Sequence, residues 1–198
     1  TAIEKNDLNR IFEEAKPHFT KVEGRDPIPP LENIENIIPE LSNDDCYCLS
    51  IFYLNTIIGY LWVFEDSPSS MYILHFYISK KHRNCGFGKL AIKELENSYG
   101  ERQLKKSELV VSANNYVGLK FWKSTGFDKI IGIYDVEQLG TSSIEIELQK
   151  QFANDPEDWI HLLPVDEKNS FLGNNVAVTS EQLHSNLVLA IPEAIQAA

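Results

Sequence analysis

The sequence predicts a mixed α+β fold, in which a mostly antiparallel sheet carries helices on both faces. Two observations lead to this class. Stretches rich in β-branched and aromatic residues fill 47–78 and 127–148, which is typical of strands joined by short turns. A strand–helix–strand crossover between residues 71 and 112 adds a parallel pair. At 198 residues the chain has room for one domain, which we assign to 1–150, with 151–198 as a C-terminal extension of unknown role.

Helices are predicted before the sheet. The first follows a cap at Asn6 or Asp7, and Pro17 is expected to end it. Its apolar residues share one helical face: Leu8, Ile11, Phe12 and Ala15. A second helix is expected over 31–38, behind Pro29-Pro30, and the polar, proline-rich stretch 22–30 between them is expected to be an exposed loop.

The sheet is predicted from the alternation of apolar and turn-forming residues. The expected strands cover residues 47–54, 57–64, 71–78, 108–112, 127–134 and 143–148. Residues 71–78 are apolar on both faces, which predicts a central strand. Helices are expected over 88–99 and 116–124, the latter ended by Gly126. After Gln149 the alternation of strand and helix patterns stops. There we expect a short strand at 159–163 and a helix at 180–191.

Charge and cysteine content exclude several classes of function. The formal net charge of −11 argues against general nucleic-acid binding, which needs a basic surface. The longest apolar runs are too short to span a bilayer, and no signal peptide is evident, so we expect a cytoplasmic protein without a membrane partner. Cys46, Cys48 and Cys85 are then reduced thiols. Because Cys46-x-Cys48 has the wrong spacing for a zinc knuckle, we expect no metal site.

A basic segment interrupts this acidic sequence. Residues 79–89 contain five basic side chains and no acidic one: Lys80, Lys81, His82, Arg83 and Lys89. Within the segment, residues 83–88 separate a predicted strand from a predicted helix. Gly86 and Gly88 would let successive N–H groups turn into the loop, and a helix beginning at Gly88 would add its positive dipole end. These features predict a site for a diphosphate.

Several kinds of phosphate loop compete for this segment. A Walker A loop fails, because Gly88-Lys89 is followed by Leu90 and because Arg83 stands where the first glycine belongs. A dinucleotide-binding fingerprint fits in part through Gly86-x-Gly88-x-x-Ala91. However, its glycine should follow the strand at once, and the next strand runs into Ala113-Asn114 rather than an acid that could hold a ribose. The segment is also compatible with a basic strand–helix turn that binds no phosphate.

A resemblance to a known family favours a different ligand. Arg83-x-x-Gly86-x-Gly88 resembles the Arg/Gln-x-x-Gly-x-Gly/Ala loop of the GNAT superfamily of N-acetyltransferases. Downstream, the strand ending near Asn115, the short helix bearing Trp122 and the Gly126-Phe127 pair resemble the second motif of that family at matching spacing. Two motifs in order are more specific than either alone. The resemblance covers about residues 45–149.

The resemblance implies a fold, a ligand and a reaction. The parallel strands would splay apart at their C-terminal ends, and acetyl-CoA would bind between them as co-substrate. The residues implied in binding are the strand backbone at Phe76, Tyr77 and Ile78, the loop residues Arg83, Asn84, Cys85, Gly86, Phe87, Gly88 and Lys89, and then Asn115 and Trp122. The reaction would be direct transfer of an acetyl group, in a ternary complex, to a primary amine of a small molecule or peptide.

The proton-transfer groups are less clear from the sequence. The family often places tyrosine, which can protonate the leaving thiolate, where this chain has Trp122. The alternative function is therefore a weak or silent acyl-CoA-binding relative. His75 is the leading candidate for the base because its ordinary pKa suits the task. Tyr72 and Tyr134 are further catalytic candidates, and Tyr134 could replace the missing acid.

The acceptor side has little motif content. The acidic composition would suit a cationic amine. The C-terminal extension could cover the cleft or pair two subunits into a homodimer, and the sequence leaves both open.

Overall fold

The computed structural model describes residues 2–24, 26–29, 34–36, 38–39, 41–99, 104–138, 141–152 and 187–190. Its helices are α1 (Ala2–Glu23), α2 (Phe87–Ser98) and α3 (Tyr116–Ser124). Its strands are β1 (Cys46–Tyr53), β2 (Thr56–Ser67), β3 (Ser70–Ile78), β4 (Lys106–Ser112), β5 (Lys129–Gln138), β6 (Thr141–Gln151) and β7 (Leu187–Ala190).

The strands form one seven-stranded sheet in the order β5-β6-β4-β3-β2-β1-β7. The β3–β4 pair is parallel, and the other neighbouring pairs are antiparallel. The predicted α+β class, the single parallel pair and the central position of β3 are therefore confirmed. The β1–β2 turn is formed by Leu54 and Asn55, whose φ angles of 47° and 60° suit a tight hairpin turn.

Helix α1 covers one face of the sheet. Its apolar stripe packs on a cluster that includes Tyr60, Trp62 and Tyr77. The prediction that Pro17 ends this helix is wrong, because α1 continues to Glu23. Proline removes one backbone hydrogen bond and normally breaks a helix. Here the ring is exposed while Phe19, beyond it, is buried against the sheet, so continued apolar packing offsets the lost bond.

Helices α2 and α3 cover the opposite face. The core on this side joins Ala91, Ile92 and Leu95 of α2 to Trp122 of α3 and to Phe127 just beyond it. Gly126, with φ of +97°, follows the end of α3 and turns the chain towards β5. The predicted arrangement of helices on both faces is thus confirmed.

Two predicted helices differ from the structure. Within 31–38 the described part forms only the short 3-10 turn Ile34–Asn36, where the Ile34 N–H is bound by the Asn43 side chain. The helix predicted over 180–191 is wrong at Leu187–Ala190, which pair with residues 50–53 of β1 as strand β7. The apolar run Leu187-Val188-Leu189 suits a strand once the edge of β1 is available for pairing. The strand predicted at 159–163 lies outside the described residues.

Candidate functional site

The two parallel strands separate and open a cleft. β3 and β4 are paired from Ser70 with Lys106 only as far as Ile73 with Leu109. At that point β3 carries an extra residue, Leu74, between the residues that oppose Trp62 and Val63, and such a bulge bends a strand. A cleft of about 850 Å³ lies beyond it, lined by residues 73–78 and 109–112.

The separated part of β3 offers backbone groups to a ligand. Residues 74–78 face no strand partner on the β4 side within the described chain. One of their groups is already engaged, because the carbonyl of Ile78 accepts a hydrogen bond of 2.9 Å from Nε of Arg83. A flexible, amide-containing ligand can therefore pair with the strand over residues 74–77, as an added strand would.

The 83–88 loop turns through two left-handed residues. Asn84 has φ of 60° and Gly86 has φ of 87°, and Gly86 is the N-cap of α2. The helix begins at Phe87, one residue earlier than predicted, so Gly88 lies inside its first turn and not in the loop. The unpaired N–H groups of this turn and the positive end of α2 meet at the cleft, where they favour an anion.

Arg83 attaches the loop to β3. Besides its bond to Ile78, its guanidinium carbon lies 4.5 Å from the centroid of the Tyr77 ring. The same segment is held by α1, because Oε1 of Glu14 accepts a hydrogen bond of 2.6 Å from the backbone N–H of Lys80. Arg83 thus has a positioning role in addition to its charge. Lys89 and Lys120 add exposed positive charge on the lining of the cleft.

Aromatic rings form the inner wall of the cleft. Phe76 of β3 stacks on Phe121 of α3 with ring centroids 5.3 Å apart. Trp122 is only 8% exposed and packs between Phe76 and Phe127. Its position explains why an indole is tolerated, because the ring fills the core beside the cleft. Phe87 likewise belongs to this core and not to the open loop.

Asn115 starts α3 at the rim of the cleft. Its Oδ1 accepts a hydrogen bond of 2.9 Å from the N–H of Gly118, which is the contact of a helix N-cap. Gly118 has no room for a side chain, since a Cβ atom there would lie 2.6 Å from Nδ2 of Asn115. The side chain therefore holds the turn between β4 and α3 beside the cleft.

His75 is the predicted catalytic residue that lines the cleft. Its Nδ1 lies 2.6 Å from the hydroxyl of Tyr60, and the Phe19 ring packs against it at 4.0 Å between centroids. Burial, together with the neighbouring His18, lowers the pKa of His75 to about 3. The imidazole is therefore neutral at physiological pH. Its role as the general base stays a prediction. A base with so low a pKa has little affinity for a proton at physiological pH.

Tyr72 and Tyr134 lie elsewhere on the sheet. Neither lines the cleft. Tyr134 is 48% exposed on β5, and its hydroxyl donates a 2.6 Å hydrogen bond to Glu147. Burial, followed by the charges of Glu147, Glu145 and Glu108, raises the pKa of Tyr72 well above its ordinary value. Both catalytic roles stay predictions, without support from this placement.

Helix α1 supplies cleft residues that the sequence analysis did not select. Three residues of α1 line the cleft: His18, Phe19 and Glu23. The end of α1 is attached to β4, because the hydroxyl of Ser112 donates a 2.7 Å hydrogen bond to the carbonyl of Val22. These residues follow Pro17, where the helix was expected to end. The apolar residue Phe19, in register with Ala15 four residues earlier, was the signal that the helix continues.

Of the two histidines that contact Phe19, His18 and His75, the ring of His18 is the more accessible. Partial burial lowers its pKa, and the charges of Arg83, Lys80 and Lys21 lower it further. The ring is therefore neutral over more of the physiological range than an ordinary histidine is.

The described residues also bear on metal, thiol and membrane sites. Across the described ranges, no group of three or more His, Cys, Asp or Glu side chains could hold a metal ion. Cys46 and Cys48 are buried in β1, and Cys85 is exposed in the 83–88 loop. The described helices include none with the length and apolarity that crossing a membrane requires.

Comparisons with known proteins identify the fold and the family. The model of the Acetyltransferase (GNAT) family matches residues 8–127. Ard1 from Thermoplasma volcanium is similar, with a TM-score of 0.56 at 17% identity over 75% of this chain and 93% of that one. The ribosomal-protein-alanine N-acetyltransferase from Brucella melitensis has a TM-score of 0.54 at 18% identity over 74% and 95%.

A further solved structure is a GNAT family acetyltransferase from Elizabethkingia anophelis with acetyl-CoA bound, with a TM-score of 0.49 at 18% identity over 64% of this chain and 92% of that one. A comparison with curated proteins found no match. The family model spans more than half of the chain, and both motifs recognised in the sequence lie within or overlap its range. The chain belongs to the GNAT family of acetyltransferases.

Proposed function

We propose that the protein transfers an acetyl group from acetyl-CoA to a primary amine of a small molecule or peptide, by direct transfer in a ternary complex. The observation that carries the proposal is the separation of β3 from β4 after Ile73 and Leu109. It opens a cleft with free strand backbone on one side and the N-terminus of α2 at its mouth.

The residues present fit the parts of such a ligand. The loop Arg83, Asn84, Cys85, Gly86, Phe87, Gly88 and Lys89 would hold the diphosphate, mainly through backbone N–H groups. The backbone of residues 76–78 would pair with the pantetheine amides, most freely at Phe76 and Tyr77 because the Ile78 carbonyl is engaged. Asn115 and Trp122 would border the arm. The thioester supplies the activated acyl group.

The acyl-transfer end would lie under α1. Direct transfer requires a neutral amine held against the thioester, and an N–H donor for the carbonyl oxygen. Backbone N–H groups of β3 would supply that donor. The accessible ring of His18, neutral near pH 7 because its pKa is lowered, would be available to accept the amine proton directly or through water. His75 stays in the proposal as the catalytic candidate that lines the cleft.

The acceptor is proposed to be cationic. Glu23 lines the cleft, whereas Glu108, Glu145 and Glu147 lie near Tyr72, outside the lining of the cleft. Together with a net charge of −11, these carboxylates would attract an acceptor that carries positive charge besides the reacting amine.

One observation favours a second function. Trp122 cannot donate a proton to a leaving thiolate as a tyrosine hydroxyl can, and it is buried in the core. A catalytically silent protein that binds acyl-CoA is therefore the alternative.

Calorimetric titration with acetyl-CoA, followed by a thiol-release assay with spermidine, a lysine peptide and an aromatic amine, tests both. Gly86→Glu should abolish binding through strain at φ of +87° and repulsion of the diphosphate, whereas the control Lys93→Glu, on an exposed position of α2, should still bind. Binding without thiol release would favour the silent protein. Absence of binding to the wild-type chain would refute both functions.

A further inference from the structure

Tyr60 and His75 form a buried pair whose protons can be assigned. Tyr60 of β2 is fully buried, and its hydroxyl lies 2.6 Å from Nδ1 of His75. Within the described residues that hydroxyl has no other hydrogen-bond partner. Burial raises the pKa of Tyr60 well above its ordinary value, so the phenol keeps its proton. A buried O–H donates wherever an acceptor exists, and Nδ1 is the acceptor within reach.

The assignment fixes the other ring nitrogen. A neutral imidazole with Nδ1 as an acceptor carries its proton on Nε2. This N–H is buried and, among the residues that the structure describes, has no hydrogen-bond partner. Nδ1 faces Tyr60 on β2, so Nε2 lies at the edge of the ring turned away from β2. His75 is one of the residues that line the cleft, and Phe19 covers its ring where α1 crosses it.

We propose that Tyr60 holds His75 as the Nε2–H tautomer, and that this N–H is a binding donor for an uncharged oxygen in the cleft. The oxygen is a carbonyl or hydroxyl of the acyl donor or of the acyl acceptor, and the identity of that ligand rests on the proposed function. Tyr60 is then a positioning residue, and His75 orients a ligand instead of accepting a proton.

The pair is poorly arranged for general-base catalysis. Nε2 already carries a proton, and the second nitrogen is occupied by the Tyr60 hydroxyl. Accepting a proton from an amine would create an imidazolium among apolar rings, and burial opposes that charge. The nearest ionisable neighbours make this worse, because His18 and, beyond it, Arg83 and Lys80 are cationic or can become so. Donation of a hydrogen bond needs no change of charge.

Long-range ¹H–¹⁵N correlation spectra of the imidazoles test the tautomer directly. The wild-type chain should show a neutral Nε2–H tautomer for His75 from pH 5 to pH 8, and Tyr60→Phe should shift it towards a mixture of tautomers. A wild-type Nδ1–H tautomer, a titration near pH 6.5, or a spectrum unaffected by Tyr60→Phe would overturn the proposal. This readout does not depend on enzymatic activity.

The ligand is tested by adding CoA, acetyl-CoA, and acetyl-CoA with spermidine to the wild-type chain. A change in the His75 Nε2–H resonance with acetyl-CoA but not with CoA would assign the oxygen to the thioester, and a change only with spermidine present would assign it to the acceptor complex. If calorimetry shows acetyl-CoA bound and no ligand changes this resonance, the donor role is refuted while the proposed function stands. If acetyl-CoA does not bind at all, the proposed function fails, and the tautomer assignment is judged by the spectra alone.

Two variants of His75 separate donation from proton acceptance. His75→Gln keeps a terminal N–H donor without a titrating group, whereas His75→Leu has neither. The substrate is the amine that gives the fastest thiol release with the wild type. We expect its kcat/KM to fall at least tenfold in His75→Leu, and to be several-fold higher in His75→Gln than in His75→Leu. The two variants should have similar Tm values. Equal loss of activity in the two variants would overturn the donor role.

Discussion

The ring of Phe121 lies against Gly88, so that a Cβ atom built on Gly88 would be only 2.9 Å from Cε2 of that ring. The contact joins the first turn of α2 to α3 at the mouth of the cleft. Phe121 also stacks on Phe76 of β3, so the spacing of the two helices is coupled to the strand that would pair with a ligand. A glycine at position 88 is therefore needed for packing, and not for a turn.

Gly88→Ala should destabilise the protein. In an unobstructed helix this change would stabilise by up to about 1 kcal/mol, but here the ring must move, and overpacking typically costs about 1–3 kcal/mol. Urea denaturation measures the difference. The double variant Gly88→Ala/Phe121→Leu should be less impaired than the sum of its single changes. A Gly88→Ala protein more stable than the wild type would contradict the contact.

Ser112→Ala should loosen the end of α1. The change removes the hydrogen bond from the Ser112 hydroxyl to the Val22 carbonyl, and a typical loss is about 1 kcal/mol. Hydrogen exchange should accelerate over residues 20–24 more than elsewhere. Ser98→Ala is the control, because its hydroxyl bonds the Leu95 carbonyl within α2. Equal exchange over 20–24 in the two variants would show that Ser112 does not hold α1.

Tyr134→Phe and Tyr72→Phe should each leave thiol release within about twofold of the wild-type rate, a difference worth under 0.5 kcal/mol in the barrier. The expectation follows from their placement outside the lining of the cleft. Steady-state kcat and KM are the measurements. A tenfold or greater fall in kcat, with an unchanged Tm, would restore the hydroxyl to the list of acid candidates.

His75 should make stability fall in acid. Its pKa is about 3 in the folded chain and 6.5 as the ordinary value, so below pH 6.5 the unfolded chain binds a proton that the folded chain does not. The stabilisation is complete above pH 6.5 and decreases by up to about 1.4 kcal/mol per pH unit as pH falls towards 3. Urea denaturation from pH 7 to pH 4.5 should therefore show a steeper decline for the wild type than for His75→Gln. Parallel curves would mean that His75 titrates normally when folded.

The sheet could be predicted from the sequence because its signals are local. Alternating apolar residues and turn residues locate β1 to β6 with small errors at the ends, and α3 is found at its predicted bounds. The two motifs pointed to the cleft for the same reason, since each lies within one strand–turn–helix segment. The separation of β3 and β4, by contrast, was implied only by the family resemblance.

The rest depends on contacts between distant parts of the chain. Pro17 is a strong local stop signal, and only the sheet beneath Phe19 overrides it. The partner of His75 could not be predicted, because Tyr60 lies diagonal to it on the neighbouring strand, and the β2–β3 register includes a bulge at Leu74 that has no sequence signal. The role of Gly88 depends in the same way on Phe121, thirty-three positions later in the sequence.

Removing strand β7 would expose an edge of the sheet in shortened versions of the protein. It pairs with residues 50–53 at the side of the sheet opposite β5. A chain ending at Phe152 would retain every cleft-lining residue that the structure describes, yet its β1 backbone would be left open to any other extended chain. Such a version would be prone to self-association. The four residues Leu187–Ala190 therefore shield the edge of β1 from other extended chains.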